Sequence, residues 1–547
     1  MAPVPFQHPL RYAPLAVVGT HLVSVIYLTY AITVSLYTSY KSIGPAQDTR
    51  SRLAQRKKLV PAFLGLAVAA LCLATYTSTT SAVLSYQTWA SEHGLDKPEK
   101  FIPEDEVLLS QNSSKINLAY VAQWLSDTPV YSDILEIVTE KARRFWWGQQ
   151  IDLATVAFST LLSIEGRRRN VLLTAAFLTL AHLVNLSYAQ NLFYLALLLT
   201  PSPLPSGNNG LESAAMPFPI PQLVRIGNRV FPPKPTNWHL HSSIFISTLV
   251  LNFGSIFTLP YVAGTQSFVN VLLLTRASTF LPLILPRIAP MSWGTVHYRP
   301  HNSYYSFTVI FRTISFVSFV LHMKSSIMGL TYNIPNSHYH RHSAILPWDV
   351  EERTAFERGT TAFGKVLGSI MDHPAVEAVG WDVLICTLSI GLWAGVRAID
   401  VQDIIESSIP IYASRHKPQE LVEDEATKTP IKIEPEPEES VSEHSMTLRR
   451  RGRPAKPRFG SVASSSGFSE DNMVTSGRRR GRPKKKQPEG EKAYKPTPSV
   501  VRELVEGDTL PANELDWESS TLTWGLVALT GLGSACAGVF GGECTSR

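Results

Sequence analysis

An all-α, polytopic membrane fold with eight or nine transmembrane helices and a disordered insert before the last helix follows from three features of the sequence. The chain has 547 residues, of which 44% are hydrophobic. Its mean hydropathy of +0.03 averages long apolar runs with a strongly polar tail. Several runs reach the ~20 apolar residues needed to cross a bilayer. Basic clusters flank them in a pattern that the positive-inside rule can orient. The net charge of +6 is small for this length, so the local clusters carry more information than the balance.

In chain order, the first spans are Leu15 to Tyr37 and Leu59 to Tyr86, the first acting as an uncleaved anchor. Between them lie Lys41, Arg50, Arg52, Arg56, Lys57 and Lys58, which makes that loop cytosolic and the N-terminus external. Residues 87 to 144 then face the lumen, with a glycosylation sequon at Asn112–Ser113–Ser114. Val130, Ile134, Ile137 and Val138, interleaved with Asp133, Glu136, Glu140 and Lys141, have helical period and predict an amphipathic surface helix over Pro129 to Arg144. The third span, Trp146 to Ile164, ends at Arg167, Arg168 and Arg169 on the cytosolic side, and Val171 to Leu199 forms the fourth.

Pro201 to Pro235 is a Pro/Gly/Ser-rich connector. Ser243 to Val262 and Phe268 to Leu285 follow, the second carrying Arg276, which marks either a helix beside an internal cavity or a re-entrant piece. Two full spans here put the later insert in the lumen, and one puts it in the cytosol. Tyr305 to Leu321 and Trp381 to Ile399 complete a membrane domain over residues 1 to 401. Residues 402 to 519 have too few apolar side chains to bury a core and are expected to be disordered. Residues 520 to 547 hold the last span, Leu522 to Phe540, whose Gly and Ala suit close helix packing.

The insert contains RRRGRPAKP from Arg449 and RRRGRPKKK from Arg478, each with the core of an AT-hook. Gly452 and Gly481 keep the backbone slim, Arg451 with Arg453 and Arg480 with Arg482 extend along an A·T minor groove, and Pro454 and Pro483 complete the cores. A polybasic segment that meets anionic lipid or serves as an import signal explains the same charges. Ile431, Lys432, Ile433 and Glu434 resemble a sumoylation site, which requires a cytosolic or nuclear face. His338, His340 and His342 alternate without Cys or a spaced carboxylate and read as interfacial polar residues, so no metal and no cofactor is expected. Cys72, Cys386, Cys536 and Cys544 have no paired spacing and read as packing residues.

A second set of polar residues lies inside the apolar runs. Trp146, Trp147, Gln149, Gln150, Asp152 and Glu165 are on the third span, His182, Asn185, Gln190 and Asn191 on the fourth, and Asp382 on a later one. Interhelical hydrogen bonding with aromatic anchors accounts for them. So does a pocket in which a desolvated carboxyl acts as a general acid and tryptophan faces stabilise a cation.

RRFWWGQQID at 143 to 152, AQNLF at 189 to 193, residues 347 to 386 and TWGLVALTGLGSACAGVFGGE near the end resemble fungal polytopic membrane proteins, among them the membrane-bound terpene cyclases of ascochlorin and ascofuranone biosynthesis. The resemblance covers spans and loops but not the insert. It implies protonation and cyclisation of a farnesylated aromatic epoxide, with Asp152, Glu165 and Asp382 as available acids and without metal or diphosphate loss. The hooks depart from it and suggest the alternative of a non-enzymatic nuclear-envelope or endomembrane protein that holds A·T-rich DNA. A transporter is a third reading, for which no internal repeat speaks.

Overall fold

The computed structural model describes residues 10–42, 50–94, 118–169, 171, 173–200, 234, 238–296, 301–340, 350–412 and 516–545. The two hook motifs, the sumoylation-like site, the sequon and His342 lie outside these residues. The chain separates into one unit formed by Met1–Pro418 with Val505–Arg547 and another formed by Gln419–Leu504. The described residues belong to the first and are mostly helical.

The helices in order are α1 (Tyr12–Ser42), α2 (Arg50–Glu92), α3 (Leu118–Asp127), α4 (Val130–Glu140), α5 (Ala142–Arg168), α6 (Thr174–Leu183) and α7 (Leu186–Leu199). After the strand β1 (Trp238–Leu240) come α8 (Ser242–Val262), α9 (Phe268–Ser278), α10 (Leu281–Ile288) and β2 (Gly294–Val296). Then follow α11 (His301–Thr331), the ribbon β3 (His338–His340) with β4 (Val350–Glu352), α12 (Ala355–Gly368), α13 (Pro374–Arg397), α14 (Val401–Ser408), α15 (Trp517–Thr530) and α16 (Leu532–Thr545). Among the described residues five helices are long and apolar enough to cross a membrane, or up to six if the bent pair of α9 and α10 counts as one.

Two predicted spans are not continuous helices. Val171 to Leu199 breaks at Val184 and Asn185 into α6 and α7, and Leu522 to Phe540 breaks at Gly531, whose φ is +84°. Their directions follow from contacts with α5 and α13. Asp372, just before α13, pairs with Arg143 and Arg144 at the start of α5 at 2.8 and 3.3 Å. Arg397 at the end of α13 shares Glu543 with Arg169, which follows α5. Hence α5 and α13 run parallel, from a Trp146 end to an Arg169 end.

Helix α15 runs against α13, since Ser520 Oγ donates to the Gly391 carbonyl and Trp524 Nε1 to that of Thr387. Helix α16 runs with α5: the Leu532 N–H donates to Gln150 Oε1 at 3.3 Å, and Glu543 reaches Arg169. The pair is therefore a helical hairpin that enters from the Arg169 end, turns at Gly531 and returns. Its second arm is buried along its whole length, and glycines 533, 538, 541 and 542 bring it against α5, α11, α14 and the α13–α14 turn.

The α6–α7 pair has the same form. Thr174 starts α6 beside Gly166, near the Arg169 end. Helix α7 descends alongside α13, with Leu186 at Asp382, Asn191 at Ser389 and Tyr194 stacked on Trp393 at 4.3 Å. The arms of 10 and 14 residues are about 15 and 21 Å long, too short to cross ~30 Å of hydrocarbon singly.

The predicted amphipathic helix before the third span is α4, separated from α5 by the extended Lys141. The long loop before α13 carries α12, closed by a capping box between Thr354 and Glu357. This helix buries Ala362 and Val366, while Phe356 and Phe363 stay exposed, the arrangement of a helix lying in a membrane interface.

Candidate functional site

The predicted polar residues divide into four separate groups. The first joins α5, α6 and the break between α9 and α10. Asp152 Oδ1 lies 4.0 Å from Arg276, whose guanidinium donates to His182 Nδ1 at 3.0 Å. That bond fixes the proton on His182 Nε2, which donates to Thr279 Oγ1 at 2.8 Å. Thr279 in turn donates to the Arg276 carbonyl. The side chains of Asp152 and Arg276 keep 17% and 29% of their surface accessible. Gln149, one turn before Asp152, is buried with no hydrogen-bond partner for its Oε1 among the described residues.

The second group sits at the tip of the α15–α16 hairpin. Gln150 accepts from the N-terminal backbone of α16, leaving its Nε2 without a described partner. Trp146 donates to Ser326 at 2.9 Å, and its ring lies 5.7 Å from His322. Trp147 turns toward α12 and donates to the Val366 carbonyl at 3.3 Å. Thus α5 directs Asp152 and the tryptophans to different neighbours.

The third group closes the N-terminus of α7. Asp382, 4% exposed, accepts from the N–H groups of Leu186 and Ser187 at 3.0 and 2.7 Å. Asn185 caps the same helix through Tyr188 N–H and donates to the Ala70 carbonyl on α2. Gln190 donates to Tyr194 at 2.5 Å, and Asn191 donates to Ser187 O and Ser389 Oγ. An interrupted helix inside an apolar bundle presents orphan N–H groups that water cannot reach, and these side chains answer them.

Glu165 belongs to the fourth group, a buried ion cluster at the Arg169 end. Its carboxylate meets Arg168 and Arg169, each at 2.9 Å. Arg169 also meets Glu543 at 3.1 Å, and Arg397 holds Glu543 at 2.7 Å. Charges removed from water need partners of this kind on every side. Glu543 and His322 were not legible as site residues in the sequence. A lone acid closing a Gly-rich run and a lone histidine in an apolar helix were their only signals.

Among the described residues no group of three or more His, Cys, Asp or Glu is placed to hold a metal ion. The four cysteines are free thiols, with Cys386, Cys536 and Cys544 buried. Comparison with models of protein families, with curated proteins and with solved structures gives no match.

Proposed function

We propose an integral membrane enzyme that transfers a proton to an apolar isoprenoid substrate at the Asp152–Arg276–His182–Thr279 chain, as the resemblance to membrane-bound terpene cyclases implies. The observation supporting this choice is the difference between the three acids. Asp382 has both oxygens taken by backbone N–H groups, and Glu165 has both taken by arginines. Asp152 keeps a long contact to one cation and an accessible side chain. In this reading Arg276, steadied by His182, donates to the epoxide oxygen. The carboxyl proton of Asp152 passes to that oxygen as the C–O bond opens, the alkene closes on the resulting cation, and a proton lost from carbon balances the one delivered. Microsomes carrying the chain are expected to cyclise a farnesylated epoxide. Asp152→Asn is expected to lower the rate by at least about a hundredfold. No product from the wild type, or undiminished product from the variant, rejects the reading.

The finer topology belongs to the same proposal. Helices α1, α2, α8, the bent α9–α10 pair, α11 and α13 each cross. Helix α5, 27 residues long but outside that apolar set, crosses among them, and α6–α7 and α15–α16 re-enter from the cytosolic face of the endoplasmic reticulum or nuclear envelope. This arrangement favours a second reading of the insert. Asp516 donates its N–H to the Gly395 carbonyl, and Tyr412 accepts from Gln402, so the described chain leaves and resumes at the Arg169 end. The arginines there make that face cytosolic. Two R-G-R-P cores on that side can meet A·T-rich DNA at a nuclear membrane. The full chain in detergent is expected to bind an A·T duplex over a G·C duplex with steep salt dependence. Equal binding of both, or no loss in Arg451→Ala with Arg480→Ala, rejects this reading.

A further inference from the structure

At the Arg169 end, away from the Asp152 chain, α5 meets the β1–β2 ribbon, α10 and the start of α11 around a cavity of ≈ 30 Å³. Ser163, Arg167, Arg168, His239 and Ser306 supply its polar lining, and apolar side chains and Pro286 the rest. The volume admits a few oxygen atoms, not a whole organic ligand.

Positive charge around it is in excess. Arg168 has Glu165, but Arg167, Arg287 and Lys234 have no carboxylate partner among the described residues. Arg167 donates to the Trp238 carbonyl at 3.3 Å and lies 5.6 Å from that ring, while Lys234 sits 4.2 Å from it. Arg287 is close enough to repel Arg167. Lys234 also donates to the carbonyls of Pro286 and Ala289. Burial, and then the Arg167 charge, lower its ammonium below the usual lysine range. Two cations drawn to one fully buried indole, with a third beside them, need a counter-charge.

The surroundings indicate where it comes from. Ile284, Ile288, Met291 and Trp293 are exposed on the α10 side, an apolar rim ending in a tryptophan as at a lipid–water boundary. The adjacent arginines mark the cytosolic leaflet, where anionic lipids concentrate. Gly294 allows the ribbon to close, because a Cβ there would run into the Trp238 ring and the His239 carbonyl.

We infer that this cavity binds the phosphate of an anionic membrane lipid, with Arg167, Lys234 and Arg287 as counter-charges and the acyl chains lying outside on the apolar rim. The inference rests on the proposed cytosolic placement of the Arg169 end and does not depend on the cyclase chemistry. Native mass spectrometry of the full chain released from detergent, with phosphatidic acid or phosphatidylcholine added, tests it. The wild type is expected to retain phosphatidic acid preferentially, and Arg167→Gln with Lys234→Gln to weaken retention by roughly tenfold or more. Lys365→Gln on α12, which removes one charge, is the control for Lys234→Gln alone. Should the double variant lose its thermal transition, Lys234→Gln alone gives the same comparison with a smaller expected loss. Equal retention of the two lipids, or unchanged retention in the variants, overturns the inference. Thermal protection by inorganic phosphate without lipid retention assigns the cavity to the free ion and overturns it as well.

Discussion

At the scale of single residues, the acids differ in their surroundings rather than their chemistry. Asp382 faces the first N–H groups of a helix that begins inside the bundle, where a carboxylate satisfies two donors and the positive end of the helix dipole together. Asp382→Ala is expected to destabilise the fold by about 3 kcal/mol, because two buried N–H groups lose their acceptor. Asp382→Asn keeps one acceptor oxygen and should cost less. Thermal unfolding in detergent orders the three proteins, and equal melting temperatures would remove the capping role. Glu165 and Glu543 are held by arginines on more than one side. That Asp152, Glu165 and Asp382 lie within helices was legible in the sequence. Arg168 and Arg169, the partners of Glu165, stand one turn away in the chain, whereas those of Asp152 and Asp382, Arg276 and the Leu186 and Ser187 N–H groups, are distant and were not legible.

At the scale of elements, the predicted runs at Ser243 to Val262 and Tyr305 to Leu321 lie within observed helices, and the run from Trp381 to Ile399 does so up to Arg397, where left-handed Ala398 ends the helix. Hydropathy finds apolar residues but does not detect a reversal between them. Both hairpins read as single spans because His182 and Asn185 at the first turn and Gly531 at the second are too few to lower the apolar average of the run. The turn in the second is possible because Gly531 takes a left-handed φ against the His322 ring, where a Cβ would stand 2.7 Å from ring atoms. Gly531→Ala is expected to destabilise by about 1–3 kcal/mol through strain and overpacking. Gly525→Ala, on an open face of α15, should be neutral or slightly stabilising. Melting curves that failed to separate the two variants would remove the special role of Gly531.

At the scale of the whole molecule, the hairpins change the sidedness of everything that follows them. Counting Val171 to Leu199 as a crossing inverts each later loop, and counting the Arg276 region as two spans then places the insert in the lumen. In the proposed topology α6–α7 returns to the face it left, and with α13 parallel to α5 the described chain stops at Tyr412 and resumes at Asp516 on the Arg169 side. In sealed microsomes, a cysteine placed at Ser464 is expected to react with an impermeant thiol reagent, and one at Asn333 only after permeabilisation. The reverse pattern would invert the topology. Composition and periodicity alone determined that this is a helical membrane protein with a polar insert, because apolar length and charge clusters are local properties. The relative directions of the packed helices and the distant partners of Asp152 and Asp382 were decided only in the tertiary structure. An apolar run has the same hydropathy whether it crosses or turns back, and only contacts with residues far along the chain distinguish the two.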